Sequence, residues 1–116
     1  MAEATHVITE PKDGALIARI TTPTLSEYEA GVVGKEIENE AVKHGWKVAL
    51  DFTRVEFMAS AGIGMIVSIL NQSRNQGGKV VVFGMREELL KVIRMTKLDK
   101  LFAIEKNEAG AMKKLK

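Results

Sequence analysis

One stretch of the chain gathers residue types that could carry chemistry at a single point: Phe57-Met58-Ala59-Ser60-Ala61-Gly62-Ile63-Gly64. Ser60 supplies a hydroxyl at the expected mouth of a helix, and Ala59, Ala61, Gly62 and Gly64 keep its surroundings small. Two readings of Ser60 stand side by side. As an N-cap it satisfies orphan backbone N–H groups of the helix. As a modification site it offers a hydroxyl that a partner's active site can reach. A phosphate there would add about −1.5 to −2 charges at a helix end that favours negative charge.

Two catalytic readings of the same stretch are weak. A nucleophile elbow requires G-x-S-x-G, and here Met58 stands in the first glycine position of Met58-x-Ser60-x-Gly62. A serine nucleophile also needs a histidine base. The chain has only two histidines, His6 and His44, and neither is placed near Ser60 by the sequence. A small serine hydrolase is therefore the lesser reading. A nucleotide-binding module is also lesser. Gly62-x-Gly64 opens a helix, but Val67 occupies the third glycine position and no Gly-Lys-Ser/Thr follows. Glu36, Glu38, Glu40 and the pair Glu87-Glu88 lack ligand spacing and read as solvated helix faces, so no metal site and no cofactor are expected. Met58, Met85 and Met95 read as packing residues before they read as an adaptable contact surface.

Composition points the same way. With 116 residues, 46% hydrophobic and 28% charged, the chain fits one globular domain over 1–116. It has no cysteine, which excludes disulfides, a thiolate nucleophile and Cys-based zinc. Met1 to His6 carries no base and no apolar run, so no signal peptide is expected. The longest apolar runs, such as Val80 to Phe83, are far short of the ~20 residues of a membrane span. The cytoplasm is the expected compartment.

The formal charge of +2 divides into −4 over residues 1–46 and +6 over residues 47–116. The basic residues are interspersed with apolar ones, and the only dense run is Lys113-Lys114-Lys116. A solvated face and a frayed basic tail fit this better than a nucleic-acid site. With 5% aromatic residues, stacking platforms for bases are few.

Periodicity predicts the elements that position Ser60. A first strand is expected at about His6 to Glu10 and a turn at Pro11-Lys12-Asp13-Gly14. A second strand follows at Ala15 to Ile20, then a loop at Thr21-Thr22-Pro23-Thr24. Ser26 and Glu29 have capping-box spacing, opening a helix to about His44 with an apolar stripe of Tyr28, Val32, Val33, Ile37 and Ala41. Gly45 stops it. Lys47 to Phe52 is a strand, with Val48, Leu50 and Phe52 on one face. Thr53 to Ala59 is a connection. A helix at about Ser60 to Asn75 turns Ile63, Ile66, Val67 and Leu70 inward, and Lys79 to Phe83 is a strand covered on both faces. A helix at Arg86 to Met95 buries Leu89, Leu90 and Ile93. A weak strand at Leu101 to Ile104 and a fraying helix at Glu108 to Leu115 complete the chain. The expected fold is α/β: one mixed sheet with an N-terminal hairpin and helical crossovers, in the order β-β-α-β-α-β-α-β-α.

Several blocks in order resemble a known family. They are Val48 to Phe52, Val55-x-Phe57-Met58-Ala59-Ser60-Ala61-Gly62-Ile63-Gly64, Gly77 to Val82, and Ile93-x-Met95 to Phe102. Together, over roughly residues 46–112, they resemble a STAS domain of the bacterial anti-sigma factor antagonist type. The family's loop pattern is Asp-Ser-Ser/Thr-Gly, with the first serine as phosphoacceptor. The resemblance lays that residue on Ser60, with Ala59 in the aspartate position and Ala61 after the acceptor. A Gly-x-Leu-Asp-like segment of the family falls on Thr21 to Leu25. The resemblance implies a non-catalytic switch that binds a serine-kinase anti-sigma factor until the kinase phosphorylates Ser60. A phosphatase then resets it. The implied partner-binding residues are Thr22, Thr24, Met58, Ala59, Ser60, Ala61 and Gly62. Other members of the fold act as scaffold or sensor modules without this phosphorylation.

Overall fold

The computed structural model describes residues 6–116, so the expectation made on Met1 to Thr5 lies outside the described residues. β1 (Val7–Lys12) and β2 (Ala15–Ile20) form an antiparallel hairpin with Lys12 opposite Ala15. The turn is the dipeptide Asp13-Gly14, with φ of 50° and 81°. Positive φ at both positions matches the twist of the strands. Pro11 and Lys12 therefore belong to β1 rather than to the turn. An edge strand tolerates the proline, because its missing N–H faces away from the ladder.

The remaining elements are β3 (Thr24–Leu25), α1 (Glu27–Ala41), β4 (Lys47–Asp51), β5 (Phe57–Met58), α2 (Ser60–Asn75), β6 (Lys79–Phe83), α3 (Glu87–Met95), β7 (Ala103–Glu105) and α4 (Glu108–Leu115). Single 3-10 turns follow α1 at Val42–His44 and α3 at Leu98–Lys100. The main sheet has the order β1-β2-β4-β6-β7, and every pair beyond the hairpin is parallel. This is the expected mixed α/β sheet. What the periodicity did not anticipate is a second, two-stranded sheet of β3 and β5.

Alternation along the strands divides the core. Leu16, Ala18, Ile20, Val48, Leu50, Val80 and Val82 face α1, α2 and α3. Ala15, Ile17, Ala49, Val81 and Phe83 face α4 through Ala111, Met112 and Leu115. Burial on both faces is why these strands read as continuous apolar runs. Helix α4 is thus a packed layer, and the expectation of a fraying end fails because its three apolar side chains cover the second face. Its N-cap is Asn107, whose side chain accepts from the Gly110 N–H at 2.9 Å.

Two inward stripes shift. On α1 the buried residues are Ala30, Val33, Gly34, Ile37 and Ala41, while Tyr28 and Val32 lie outside. On α2 Met65 and Ile69 are buried and Ile63 and Val67 are only half-buried. Both helices pack against each other as well as against the sheet, which turns the buried face of α1 away from Tyr28 and Val32 and extends that of α2 to Met65 and Ile69. Met58 and Met85 are packed, whereas Met95 is 81% exposed.

Candidate functional site

The small sheet builds the site. In it Thr24 lies opposite Phe57, and Leu25 opposite Met58. Leu25 and Met58 point into the core, and Thr24 and Phe57 face outward. The Pro23 carbonyl accepts from the N–H groups of Glu56 at 2.8 Å and Phe57 at 3.1 Å. The Thr22 hydroxyl bonds the backbone of Thr24, donating to its carbonyl at 3.1 Å. The Ala59 N–H donates to the Leu25 carbonyl at 2.9 Å. The two segments are therefore fixed to each other immediately before each continues into a helix.

Helix α1 begins with the expected capping box, in which Ser26 and Glu29 bond each other's backbone and side chains. The bond from Ser26 holds the Glu29 carboxyl below the ordinary glutamate range. Helix α2 begins differently. Its N-cap is Ala59, in extended conformation, and no side chain caps it. The N-cap reading of Ser60 is thereby corrected: Ser60 is the first helical residue. Its side chain is exposed, and its hydroxyl forms no hydrogen bond with any described residue. The first turn of α2 also carries no acidic residue, so the positive end of the helix dipole has no side-chain counter-charge there.

Beneath Ser60 the packing is tight. A Cβ on Gly62 would lie 2.4 Å from Met58 Cγ and 3.3 Å from Leu25 Cβ. Of the residues expected to bind a partner, Thr24 and Ser60 are exposed and Thr22, Ala59 and Ala61 are half-buried. Met58 and Gly62 lie under this surface and shape it. Beside Ser60 a cavity of about 400 Å³ opens between α1 and α2, and Glu27, Gly31, Lys35, Ala61, Met65 and Ser68 are among its lining residues.

The contact residues expected from the sequence leave out Phe57, which lies exposed opposite Thr24, and the α1–α2 cavity. The alternation Leu25-in/Thr24-out and Met58-in/Phe57-out was present. Two-residue strands are too short for periodicity to reveal them.

The catalytic alternatives gain no partner for the serine. His6 packs edge-on against Tyr28, with ring centroids 6.1 Å apart, and His44 ends the 3-10 turn after α1. Neither is hydrogen-bonded to Ser60. Among the described residues, no group of three His, Asp or Glu side chains is placed to hold a metal ion, and no helix is long and apolar enough to cross a membrane.

Comparison with known proteins agrees with this geometry. A model of the STAS domain matches residues 6–111, reaching back well before the blocks that carry the sequence resemblance. The anti-sigma-B factor antagonist of Listeria monocytogenes is 31% identical over 88 residues, or 76% of this chain and 76% of that protein. The fold matches a Thermotoga maritima protein, TM1081, with a TM-score of 0.83 at 23% identity, over 94% of this chain and 93% of that one. It also matches the phosphorylated form of the Bacillus cell fate determinant SpoIIAA, with a TM-score of 0.72 at 17% identity, over 95% and 99% of the two chains. The chain belongs to the STAS domain family, on the branch of the bacterial anti-sigma factor antagonists.

Proposed function

We propose that this chain is a single-domain cytoplasmic switch that binds a serine-kinase anti-sigma factor and is released when that kinase phosphorylates Ser60. One observation carries the reading: the Ser60 hydroxyl is exposed, uncommitted to capping, and set just beyond a two-strand pair that joins β3 to β5. A kinase acceptor must be reachable by the partner's active site, and this hydroxyl is. In the transfer, a bond forms between Ser60 Oγ and the γ-phosphorus of ATP, and the bond from that phosphorus to the bridging oxygen breaks. The hydroxyl proton passes to a base on the kinase. The chain itself supplies the acceptor and no catalytic group.

The surface of Thr22, Thr24, Ala59, Ser60 and Ala61, shaped from below by Met58 and Gly62, is the proposed contact face. Phosphate at its centre adds bulk and about two charges, and burying these without a partner costs several kcal/mol in a docked complex. Release follows, and a phosphatase restores the binding form. No nucleic acid, membrane or cofactor enters this scheme. The known phosphorylated form of SpoIIAA, whose fold this chain shares, supports the reading.

A second reading, a scaffold that works without phosphorylation, draws on Ala59 standing where the family pattern has aspartate. Partner binding by Ser60→Ala and Ser60→Asp separates the two. The switch requires Ser60→Ala to bind like the native chain and Ser60→Asp to bind at least about tenfold more weakly, about 1.4 kcal/mol. Equal binding by both variants leaves the scaffold.

A further inference from the structure

A second cavity lies at the other end of α2. The strand β7 joins β6 only from Ala103 opposite Val81 onward. Beside the start of β6 the sheet edge is therefore open, and a cavity of about 250 Å³ fills the gap. Its floor includes the buried side chains Leu70, Val80 and Phe102. Arg74, Lys79 and Lys100 stand around it, and no carboxylate lines it.

We propose that this cavity binds a small organic anion, a phosphate or carboxylate carried on a compact apolar group. The three cations come from three separate elements: the last turn of α2, the first residue of β6 and the 3-10 turn after α3. Arg74 is held in place because its guanidinium donates to the Leu101 carbonyl at 3.0 Å. That bond also fixes the chain that closes the cavity. Lys79 and Lys100 form no ion pair with any described residue.

The C-terminal end of a helix ordinarily disfavours an anion. Here three of the four terminal carbonyls of the helix are already bonded. The carbonyls of Gln72, Ser73 and Arg74 accept from the N–H groups of Gln76, Gly77 and Gly78, which leaves the three cations free to act on a ligand. The apolar floor selects for a hydrophobic body, since a bare ion would leave it wet.

A larger cavity, of about 600 Å³ between α3 and α4, is a weaker candidate. Its lining mixes Glu105 with Arg94, Lys106 and Lys113, and Arg94 is already paired with Glu87 at 2.9 Å.

The test uses phenyl phosphate and inorganic phosphate as probes in an amide-resolved NMR titration of the whole chain. Phenyl phosphate is expected to give saturable shifts confined to Gly78, Lys79, Leu101, Ala103 and their neighbours, with a Kd on the order of 1 mM. It should bind about tenfold tighter than inorganic phosphate. The double variant Lys79→Gln/Lys100→Gln should abolish the shifts, and Lys113→Gln should leave them intact. Exposed lysines do not hold the fold, and the same spectra verify that each variant is folded. Absence of saturation up to about 20 mM, equal affinity for the two probes, or equal weakening by Lys113→Gln would each overturn the proposal.

Discussion

Gly62 and Met58 occupy one space: the Cβ that Gly62 lacks would sit 2.4 Å from Met58 Cγ. Met58 is fixed from the other side by its pairing with β3 and by burial at 9% exposure. Its side chain thus fills the hollow under the first turn of α2, and Ser60 is held above it. The glycine belongs to the packing of this platform.

Gly62→Ala should therefore destabilise the fold. Overpacking costs about 1–3 kcal/mol, which exceeds the gain of up to about 1 kcal/mol from replacing glycine in a helix. Gly64, two residues on, is exposed with nothing within 4 Å of its missing Cβ. Gly64→Ala should stabilise by about 0.5–1 kcal/mol. Urea unfolding of the two variants checks the opposite signs.

Ala59 leaves α2 without a side-chain cap. Ala59→Asp supplies one, and its charge also suits the helix end. Thermal unfolding should show a gain of about 1 kcal/mol, or a rise of about 4 °C. An unchanged or lower melting temperature would show that the extended Ala59 conformation cannot present a cap.

Much of this architecture was legible in the chain. The hairpin, the three crossover helices and the strands β2, β4 and β6 follow from helical periodicity, continuous apolar runs and the Ser26–Glu29 capping box, because each buries enough apolar surface to leave a pattern. The platform under Ser60 was not legible. Its strands are two residues each, and their pairing joins Thr24 to Phe57 across more than thirty positions, beyond the reach of any local signal. The N-cap position slipped by one residue for a related reason. Serine is so favourable at a cap that the sequence favours Ser60 over Ala59, whereas the Leu25 carbonyl holds Ala59 in the extended form. Tyr28 lies outside rather than inward because hydrophobicity alone does not say which helix face meets α2.

Helix α4 offers a test of the second core. Met112 is 7% exposed and packs on the sheet face opposite the other helices. Met112→Ala should cost about 2–4 kcal/mol in chemical denaturation. A cost below about 0.5 kcal/mol would place α4 loose on the sheet.

Arg19 gathers the carboxylates of Glu10 at 3.0 Å, Asp51 at 3.2 Å and Glu108 at 3.0 Å. Hydrogen bonding from Arg19 lowers the pKa of Glu10. Hydrogen bonds from Lys12 and then Arg19 lower that of Glu108. Because their folded pKa values lie below the unfolded ones, these groups stabilise the fold above the unfolded carboxylate pKa. That contribution is lost as pH falls through the folded values. Melting temperatures should therefore drop from about pH 4.5 downward. Arg19→Met should lower stability at pH 7 and flatten the acid dependence. An equally steep acid loss in Arg19→Met would assign it to other groups.

The proposed switch turns on transfer of phosphate from a partner kinase to Ser60. The direct measurement incubates the chain with ATP and a serine-kinase anti-sigma factor from its own organism, then locates the phosphate by peptide mass spectrometry. One phosphate is expected, on Ser60, and none on the Ser60→Ala variant. An active kinase that leaves Ser60 unmodified, or that phosphorylates another residue in its place, would contradict it.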